Sequence, residues 1–268
     1  MKALDYAVAG ARVAERALSQ RPRLGHEERL VFVVGCPRSG TTFTGRAIGG
    51  LPGFIDLSEV TPWKAALPHG PSAADLRGIL ERVRLIGLAR GLRGVEHTPE
   101  TSHVLREALE AYPQAQAVHA VRDGRDVVCS LLERGWLNAG KDGGDDAGHA
   151  YGAQARFWVE PERSEEFLEV SDARRCAWAW RRYVEAVRSA DAGERLLELR
   201  YENFASCAEE LATFLDADVA SAHRALDNFR DTSIGRWKTE LTPEQVADVE
   251  AEAGPLLAEL GYLGSSTA

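Results

Sequence analysis

The sequence predicts an α/β fold in which a parallel sheet is connected by crossover helices. Residues 30–34 (LVFVV) form a short apolar run rich in β-branched residues, followed by a glycine-bounded loop and a helical segment. Residues 116–121 (QAVHAV) repeat this order with the polar turn RDGRD and a second helical segment. Such apolar runs are typical of strands buried on both faces of a sheet. Strand, turn and helix in this order favour parallel pairing.

The remaining elements follow in chain order. Residues 1–20 predict an amphipathic helix with Leu4, Val8, Ala11 and Leu18 on one face, and a basic connector extends it to residue 28. One further strand is predicted over residues 196–199. The other predicted helices cover residues 42–48, 76–90, 98–111, 127–133, 172–190, 206–215, 219–229 and 243–260. Thr98 is the predicted cap of its helix.

Length and composition predict one domain over residues 1–268 and exclude several classes of protein. The formal charge of −9 argues against a broad basic surface for nucleic acid or acidic membranes. No stretch approaches a membrane-spanning length, and charged residues interrupt the N-terminal segment where a signal peptide needs an apolar core. We therefore expect a cytoplasmic protein. The four cysteines lack C-x2-C spacing, so neither zinc nor a disulfide framework is indicated.

The loop after the first strand has the properties of a phosphate-binding loop. Gly35 and Gly40 bracket the turn, where backbone N–H groups and the following helix N-terminus form an anion site. Arg38 adds a planar fork of donors. The residues predicted to contact the anion are Pro37, Arg38, Ser39, Gly40, Thr41 and Thr42. A glycine-rich turn that binds no ligand remains an alternative.

The loop departs from the nucleotide-binding pattern G-x4-G-K-[ST], because Thr41 occupies the lysine position. That lysine normally neutralises the β- and γ-phosphates. Its loss makes ATP hydrolysis and phosphoryl transfer the less natural interpretation, and a group donor with another charge distribution fits better.

Two motifs carry a family resemblance. CPRSGTT, with Arg38 inside the loop, resembles the 5′-phosphosulfate loop of sulfotransferases that use 3′-phosphoadenosine 5′-phosphosulfate (PAPS). VRDGRDVVCS resembles their 3′-phosphate motif, including the spacing from Arg122 to Ser130, and these two residues hold the 3′-phosphate in that family. Arg134 lies one helical turn after Ser130 and could join them. Alternatively, the charged residues of turn 122–126 form salt bridges that fix the turn.

More narrowly, the loop followed by Glu59 in a Glu-x-x-Pro segment is similar to tyrosylprotein sulfotransferases and their bacterial relatives. This resemblance implies that Glu59 deprotonates the acceptor hydroxyl. Residues 96–99 (EHTP) are similar to a segment in which a lysine that stabilises the sulfuryl group replaces His97. A protonated His97 could take that role, or it could act as the base as in cytosolic sulfotransferases. Structural roles for both residues remain open.

Two later segments extend the resemblance. Residues 200–202 (RYE) are similar to a segment whose tyrosine lies beside the nucleotide, which implies donor contact by Tyr201. RDTSIGRWKTELT resembles the region that closes over the 3′-phosphate and offers Ser233, Arg236 and Lys238 as donors. The arginine-lysine-glycine motif of cytosolic enzymes is not reproduced there. Trp237 could stack on a base or anchor the segment.

The resemblance runs from about residue 30 to 240. It implies a three-layer P-loop-like α/β fold, a central parallel sheet flanked by helices, related to P-loop nucleotide kinases. The implied activity is in-line transfer of a sulfuryl group from PAPS to a hydroxyl of a small metabolite or natural product, with no metal. In this transfer Arg38 is a further catalytic residue, which stabilises with the loop N–H groups the charge that builds on the bridging oxygen. Residues 139–152, a glycine- and aspartate-rich loop, are a predicted lid or acceptor loop. Trp158 and residues 62–71 are further candidates for shaping the acceptor pocket.

Two other functions stay open at this stage. A nucleotide kinase or NTPase with a variant loop would depend on magnesium, with Asp123 as a possible ligand. A noncatalytic nucleotide-binding protein would keep Arg122 and Ser130 and would not need Glu59. The sequence does not indicate the oligomeric state.

Overall fold

The computed structural model describes residues 3–19, 27–86, 91–137, 159 and 161–263. The predicted loop at 139–152 and Trp158 therefore lie outside the described residues. Within those residues, five parallel strands form one sheet in the order β2-β3-β1-β4-β5. The strands are β1 (Val31–Val34), β2 (Phe54–Ser58), β3 (Arg93–Glu96), β4 (Gln116–Val121) and β5 (Leu196–Arg200).

Helices connect and cover these strands. The α-helices of the described ranges are α1 (Ala3–Ser19), α2 (Thr41–Gly49), α3 (Thr61–Ala66), α4 (Ala73–Ile86), α5 (Leu105–Ala111), α6 (Gly124–Arg134), α7 (Ser164–Glu169), α8 (Asp172–Ser189), α9 (Ala208–Leu215), α10 (Val219–Leu226), α11 (Trp237–Glu240) and α12 (Pro243–Glu259). Short 3₁₀-helices cover Leu67–His69, Pro99–Val104, Pro161–Arg163, Gly193–Arg195 and Tyr201–Asn203. No helix in this part of the chain is long and apolar enough to cross a membrane.

The sheet lies between two layers of helices. On one face, Phe32 and Ile55 pack in the same buried cluster as side chains of α1, α3, α4, α5 and α8. On the other face, Val33 and Val118 pack with α2, α9 and α10. A further buried cluster joins α6, α8 and α12. Alternate residues of a strand point to opposite faces, so all of β1 is buried. The predicted three-layer α/β fold is confirmed.

The helix predicted over residues 98–111 is wrong in its first half. Residues 99–104 form a 3₁₀-helix, and α5 begins only at Leu105. The hydroxyl of Thr98 donates to the Glu96 carboxylate and does not cap the helix. Because the Thr98 hydroxyl bonds to Glu96 of the preceding strand, it is not used as a helix cap, and the first turn is a 3₁₀-helix.

The buried face of α1 also differs from the predicted one. Leu4, Val8 and Leu18 are exposed, and the helix packs through Ala9, Val13 and Ala17. A flat strip of small side chains spaced four residues apart allows close approach to the layer beneath it. An arginine of this helix, Arg16, also holds the edge strand β2: its guanidinium lies 2.6 Å from the Asp56 carboxylate and 2.9 Å from the Ser58 hydroxyl. These ties set the rotation of α1.

The contact between α2 and β2 depends on a glycine. A Cβ atom at Gly49 would lie 2.6 Å from the backbone N and Cα of Asp56 and 2.4 Å from its Cβ. The backbone of β2 is held by its pairing with β3 and cannot move aside cheaply, so only glycine fits this position.

We therefore expect Gly49→Ala to destabilise the protein by about 1–3 kcal/mol through this overlap. Gly78→Ala is the matched control, since Gly78 lies inside α4 with no atom near its missing Cβ. This control should stabilise the protein by up to ~1 kcal/mol. Urea unfolding of both variants measures the difference, and equal stabilities would contradict the packing argument.

Candidate active site

The loop between β1 and α2 is shaped by residues with positive φ angles. Gly35, Arg38 and Gly40 have φ values of 137°, 76° and 95°. A Cβ at Gly35 would lie 2.4 Å from the carbonyl oxygen of Ala120 in β4, so the loop passes close over the end of that strand. The N–H of Gly35 donates to Ser102 Oγ at 2.9 Å and is therefore already bonded within the protein. Left-handed geometry at a non-glycine residue such as Arg38 is strained and clusters at functional sites.

A cavity of about 220 Å³ opens over this loop. It is lined by residues from the loop, α2, β4, α6, the segment after β5 and the segment before α11: Arg38, Gly40, Thr41, Thr42, Phe43, Arg122, Ser130, Tyr201, Ser233 and Arg236. Nine of the thirteen residues predicted to contact the donor line this cavity. Pro37, Ser39, Arg134 and Lys238 do not, although the first two belong to the same loop. Phe43 lines it without having been predicted.

Arg38 connects the two motifs across the cavity. Its Nε donates to Ser130 Oγ at 2.8 Å, which joins the loop to α6. Partial burial and the neighbouring guanidinium groups of Arg134 and Arg122 lower the pKa of Arg38. These like charges repel one another in the ligand-free protein, so the cavity favours an anion that would relieve the repulsion.

Arg122 directly follows β4 and is buried, and one of its guanidinium nitrogens forms no hydrogen bond with the described residues. Its guanidinium donates to the carbonyl of Arg38 at 3.2 Å and to the carbonyl of Ser233, and it lies 4.5 Å from the ring centroid of Tyr201. Its Nε is buried and has no hydrogen-bond partner among the described residues. A buried donor without a partner is destabilising, and it commonly marks a position where a ligand oxygen binds.

Aromatic packing fixes Tyr201 beside Arg122. The ring of Tyr201 lies 5.3 Å from Phe204 and 4.9 Å from Phe229, and Phe43 packs against the same two phenylalanines. The Tyr201 hydroxyl is 2.9 Å from Ser233 Oγ. The apolar end of the tyrosine is therefore held by the core, and its hydroxyl faces the cavity.

The charged turn 122–126 supports the motif. Asp123 accepts the backbone N–H of Arg125 at 3.0 Å and pairs with its guanidinium at 2.7 Å. The Arg125 guanidinium lies 3.8 Å from the ring centroid of Trp237. Both side chains therefore have structural partners: Arg125 fixes the turn, and Trp237 anchors its segment. Lys238 is exposed beside Trp237.

The predicted catalytic residues Glu59 and His97 are not among the residues that line this cavity. They follow β2 and β3, on the opposite side of β1 from β4 and β5. Glu59 is partly exposed, and its Oε2 lies 2.7 Å from Lys64 Nζ. His97 is buried with its Nε2 3.2 Å from Asp56 Oδ1. Burial alone would lower the pKa of His97, but the hydrogen bond and charge of Asp56 outweigh it and raise the pKa.

A larger cleft of about 1070 Å³ lies between α1, α3 and α4. Its lining is mostly small and apolar, with two carboxylates, one guanidinium, a histidine and a tyrosine: Asp5, Tyr6, Ala65, Ala66, His69, Gly70, Pro71, Ala74, Asp75, Gly78, Ile79 and Arg82. It includes part of the segment 62–71 that was predicted to shape the acceptor pocket. No group of three or more His, Cys, Asp or Glu side chains is arranged to hold a metal ion in the described part of the chain.

Sequence reasoning missed one buried acid in this region. Glu96 ends β3, is fully buried, and accepts hydrogen bonds from the backbone N–H of Thr98 at 2.8 Å and from the Thr101 hydroxyl at 3.1 Å. Thr101 in turn accepts the indole N–H of Trp63 from α3 at 2.9 Å. This network ties the helix after Glu59 to the centre of the sheet. The available signal was a glutamate at the end of the short segment RGVE, which no sequence pattern distinguishes from an exposed one.

Comparisons with known proteins give matches only at the level of structure. No protein-family model and no curated protein matches the chain. A sulfotransferase domain from the curacin biosynthetic pathway aligns with a TM-score of 0.58 at 12% identity, covering 87% of this chain and 98% of that one. Mouse sulfotransferase SULT7A1 complexed with PAP gives 0.52 at 15% identity, covering 96% of each chain. A sulfotransferase from Alicyclobacillus acidocaldarius gives 0.52 at 17% identity, covering 87% and 94%. The chain therefore has the fold of these sulfotransferase structures.

Glu96 should make stability depend on pH. Burial raises the pKa of Glu96 from 4.5 to about 7, against the opposing hydrogen bonds from Thr98. The folded protein therefore holds this proton more tightly than the unfolded chain. Its contribution to stability is fully present below pH 4.5 and is lost as the pH rises through 7, amounting to roughly 3 kcal/mol.

We expect Glu96→Gln to remove this loss, so that the variant gains stability relative to the wild type between pH 5 and 8. Urea unfolding across that pH range measures the gain. Glu110→Gln, at an exposed position of α5, is the control and should leave the pH dependence of the unfolding free energy unchanged. A Glu96→Gln protein with the wild-type pH dependence would show that Glu96 does not titrate in this range.

Proposed function

We propose that the protein is a sulfotransferase that moves a sulfuryl group from PAPS to a hydroxyl of a small metabolite or natural product. The observation that carries this proposal is the single cavity shared by Arg38, Ser130 and Arg122, which come from the two motifs that resemble sulfotransferases. The fold supports it, since structures with this fold include a sulfotransferase complexed with PAP.

The chemistry of the cavity fits a donor with two anionic groups. Three arginines line it, although the whole chain has a net charge of −9. The amides and hydroxyls of residues 38–42 would hold the 5′-phosphosulfate at the N-terminus of α2. Arg122, Ser130, Ser233 and Arg236 would hold the 3′-phosphate, with the buried Nε of Arg122 as a free donor. At about 220 Å³ the cavity is below the usual range of about 300–1,000 Å³ for ligand sites, so it would hold the anionic groups of the donor while the rest of the nucleotide extends beyond it.

In the proposed reaction, the groups that bind the donor follow β1, β4 and β5, and the proposed base Glu59 follows β2. PAPS, when bound, supplies the sulfuryl group. Glu59 would take the proton of the acceptor hydroxyl, and Lys64 holds one oxygen of this carboxylate. Arg38 and the loop N–H groups would stabilise the charge that develops on the leaving phosphate. His97 would stand where the resemblance has a lysine, and its raised pKa favours the protonated form that this role requires.

The acceptor is proposed to lie on the side of β2 and β3. Helix α3 follows Glu59 directly, and its last residues, Ala65 and Ala66, border the larger cleft. A cleft lined by small apolar residues with a few polar groups suits a small organic molecule. The assignment of Glu59 rests on the narrower resemblance to tyrosylprotein sulfotransferases and is the first part of the mechanism to test.

Titration calorimetry tests the donor. We expect 3′-phosphoadenosine 5′-phosphate (PAP) to bind the wild-type protein with high affinity and ATP with magnesium to bind weakly, because the loop lacks the lysine that neutralises a triphosphate. The reverse preference would favour a nucleotide kinase and refute the sulfotransferase proposal.

Replacing the proposed base separates chemistry from binding. Glu59→Gln should lower kcat by about 10²–10⁴-fold while the Kd for PAP stays unchanged, because general base catalysis contributes about that much. Glu194→Gln, at an exposed glutamate of a 3₁₀-helix, should keep full activity. Turnover of Glu59→Gln at the wild-type rate would remove Glu59 from the role of base.

A further inference from the structure

A buried carboxylate holds the segment that covers the candidate donor site. Asp126 lies in the first turn of α6, and its side chain is almost fully buried. Its Oδ2 accepts the backbone N–H of Gly235 at 2.7 Å, and its Oδ1 accepts the backbone N–H of Trp237 at 3.0 Å. Hydrogen bonds from amides to a charged acceptor are among the stronger ones in proteins, and each of these joins residues more than 100 positions apart.

The segment held in this way carries groups that face the cavity. The Ser233 carbonyl accepts from Arg122, and the Ser233 hydroxyl lies 2.9 Å from that of Tyr201. Arg236 also lines the cavity, and its guanidinium pairs with Glu240 at 2.6 Å and with Glu133 at 3.3 Å. Without the two bonds to Asp126, the backbone of this segment would lose its anchor on α6.

The carboxylate of Asp126 also forms an ion pair with Arg122 without accepting a hydrogen bond from it. The nearest oxygen of Asp126 is 3.8 Å from Arg122 Nη2, which is an ion-pair distance and not a hydrogen bond. Asp126 therefore balances part of the buried charge of Arg122. Both oxygens of Asp126 accept hydrogen bonds from the two backbone amides, and the Nε of Arg122 stays available for a ligand.

We propose that Asp126 is a positioning residue that sets recognition of the second anionic group of the donor, the 3′-phosphate, by fixing Ser233, Arg236 and Arg122 around one position. This inference rests on the proposed function, and it adds a residue that touches no ligand itself. The 5′-phosphosulfate end, held by residues 38–42, does not depend on Asp126. The role of Asp126 is thus selective for nucleotides that carry a 3′-phosphate.

The test compares two ligands that differ only in that phosphate. Calorimetry or competition binding of PAP and of 5′-AMP is measured for the wild type and for Asp126→Asn, in which one acceptor oxygen becomes an NH₂ donor that opposes an amide N–H. We expect PAP to bind at least about tenfold more weakly while the affinity for 5′-AMP stays unchanged. Asp231→Asn removes the same charge from an exposed position in the same segment and should keep the wild-type ratio.

A second variant guards against misfolding of the first. Trp237→Ala removes the stacking on Arg125 and leaves the backbone N–H and Asp126 in place, so it should loosen the same segment and reduce the preference for PAP in the same direction. Equal losses for PAP and 5′-AMP, or no loss for either, would overturn the role of Asp126. A wild-type protein that does not bind PAP would instead refute the proposed function itself.

Discussion

The close approach of the loop to β4 is the constraint on which the candidate site depends. Parallel pairing places Val34 beside His119, and a Cβ at Gly35 would lie 2.4 Å from the Ala120 carbonyl. Glycine at position 35 therefore lets the chain turn across the end of the neighbouring strand. Only with this approach can the Arg38 side chain bond Ser130 on α6 and its carbonyl accept from Arg122. A side chain at position 35 would separate the two motifs.

The site gathers positive charge in a protein whose net charge is strongly negative. Partial burial, and after it the charges of Arg134 and Arg122, lower the pKa of Arg38. A buried charge such as that of Arg122 is destabilising unless something compensates it, and Asp126 does so only in part. An anion in the cavity would supply the rest. A ligand that binds only the folded state stabilises it by mass action, so binding of the proposed donor would raise the folding stability.

Much of the fold, and the meeting of the two motifs at one cavity, could be predicted because the signals are local. Each motif is a strand, a turn and the start of a helix within about twenty residues, and the spacing of Arg122 and Ser130 already places both at one end of the sheet. The anchor of Asp126 on residues 235–237 could not be found this way, since no spacing rule links it to them. The buried face of α1 differs from the predicted one because small residues, which allow close packing, face the core while the larger leucines of the helix face solvent.

The division of the site along the sheet has a consequence for specificity. The proposed donor contacts come from the loop after β1 and from the segments after β4 and β5, whereas Glu59, His97 and the larger cleft belong to segments that follow β2 and β3 and to the helices beside them. The edge strand β2 is held by Arg16 of the N-terminal helix through Asp56, three residues before Glu59. The position of the proposed base thus depends on α1, which also lines the cleft. If the proposed function holds, changes in α1 and α3 would alter the choice of acceptor while the proposed donor half, built on the other strands, stays the same.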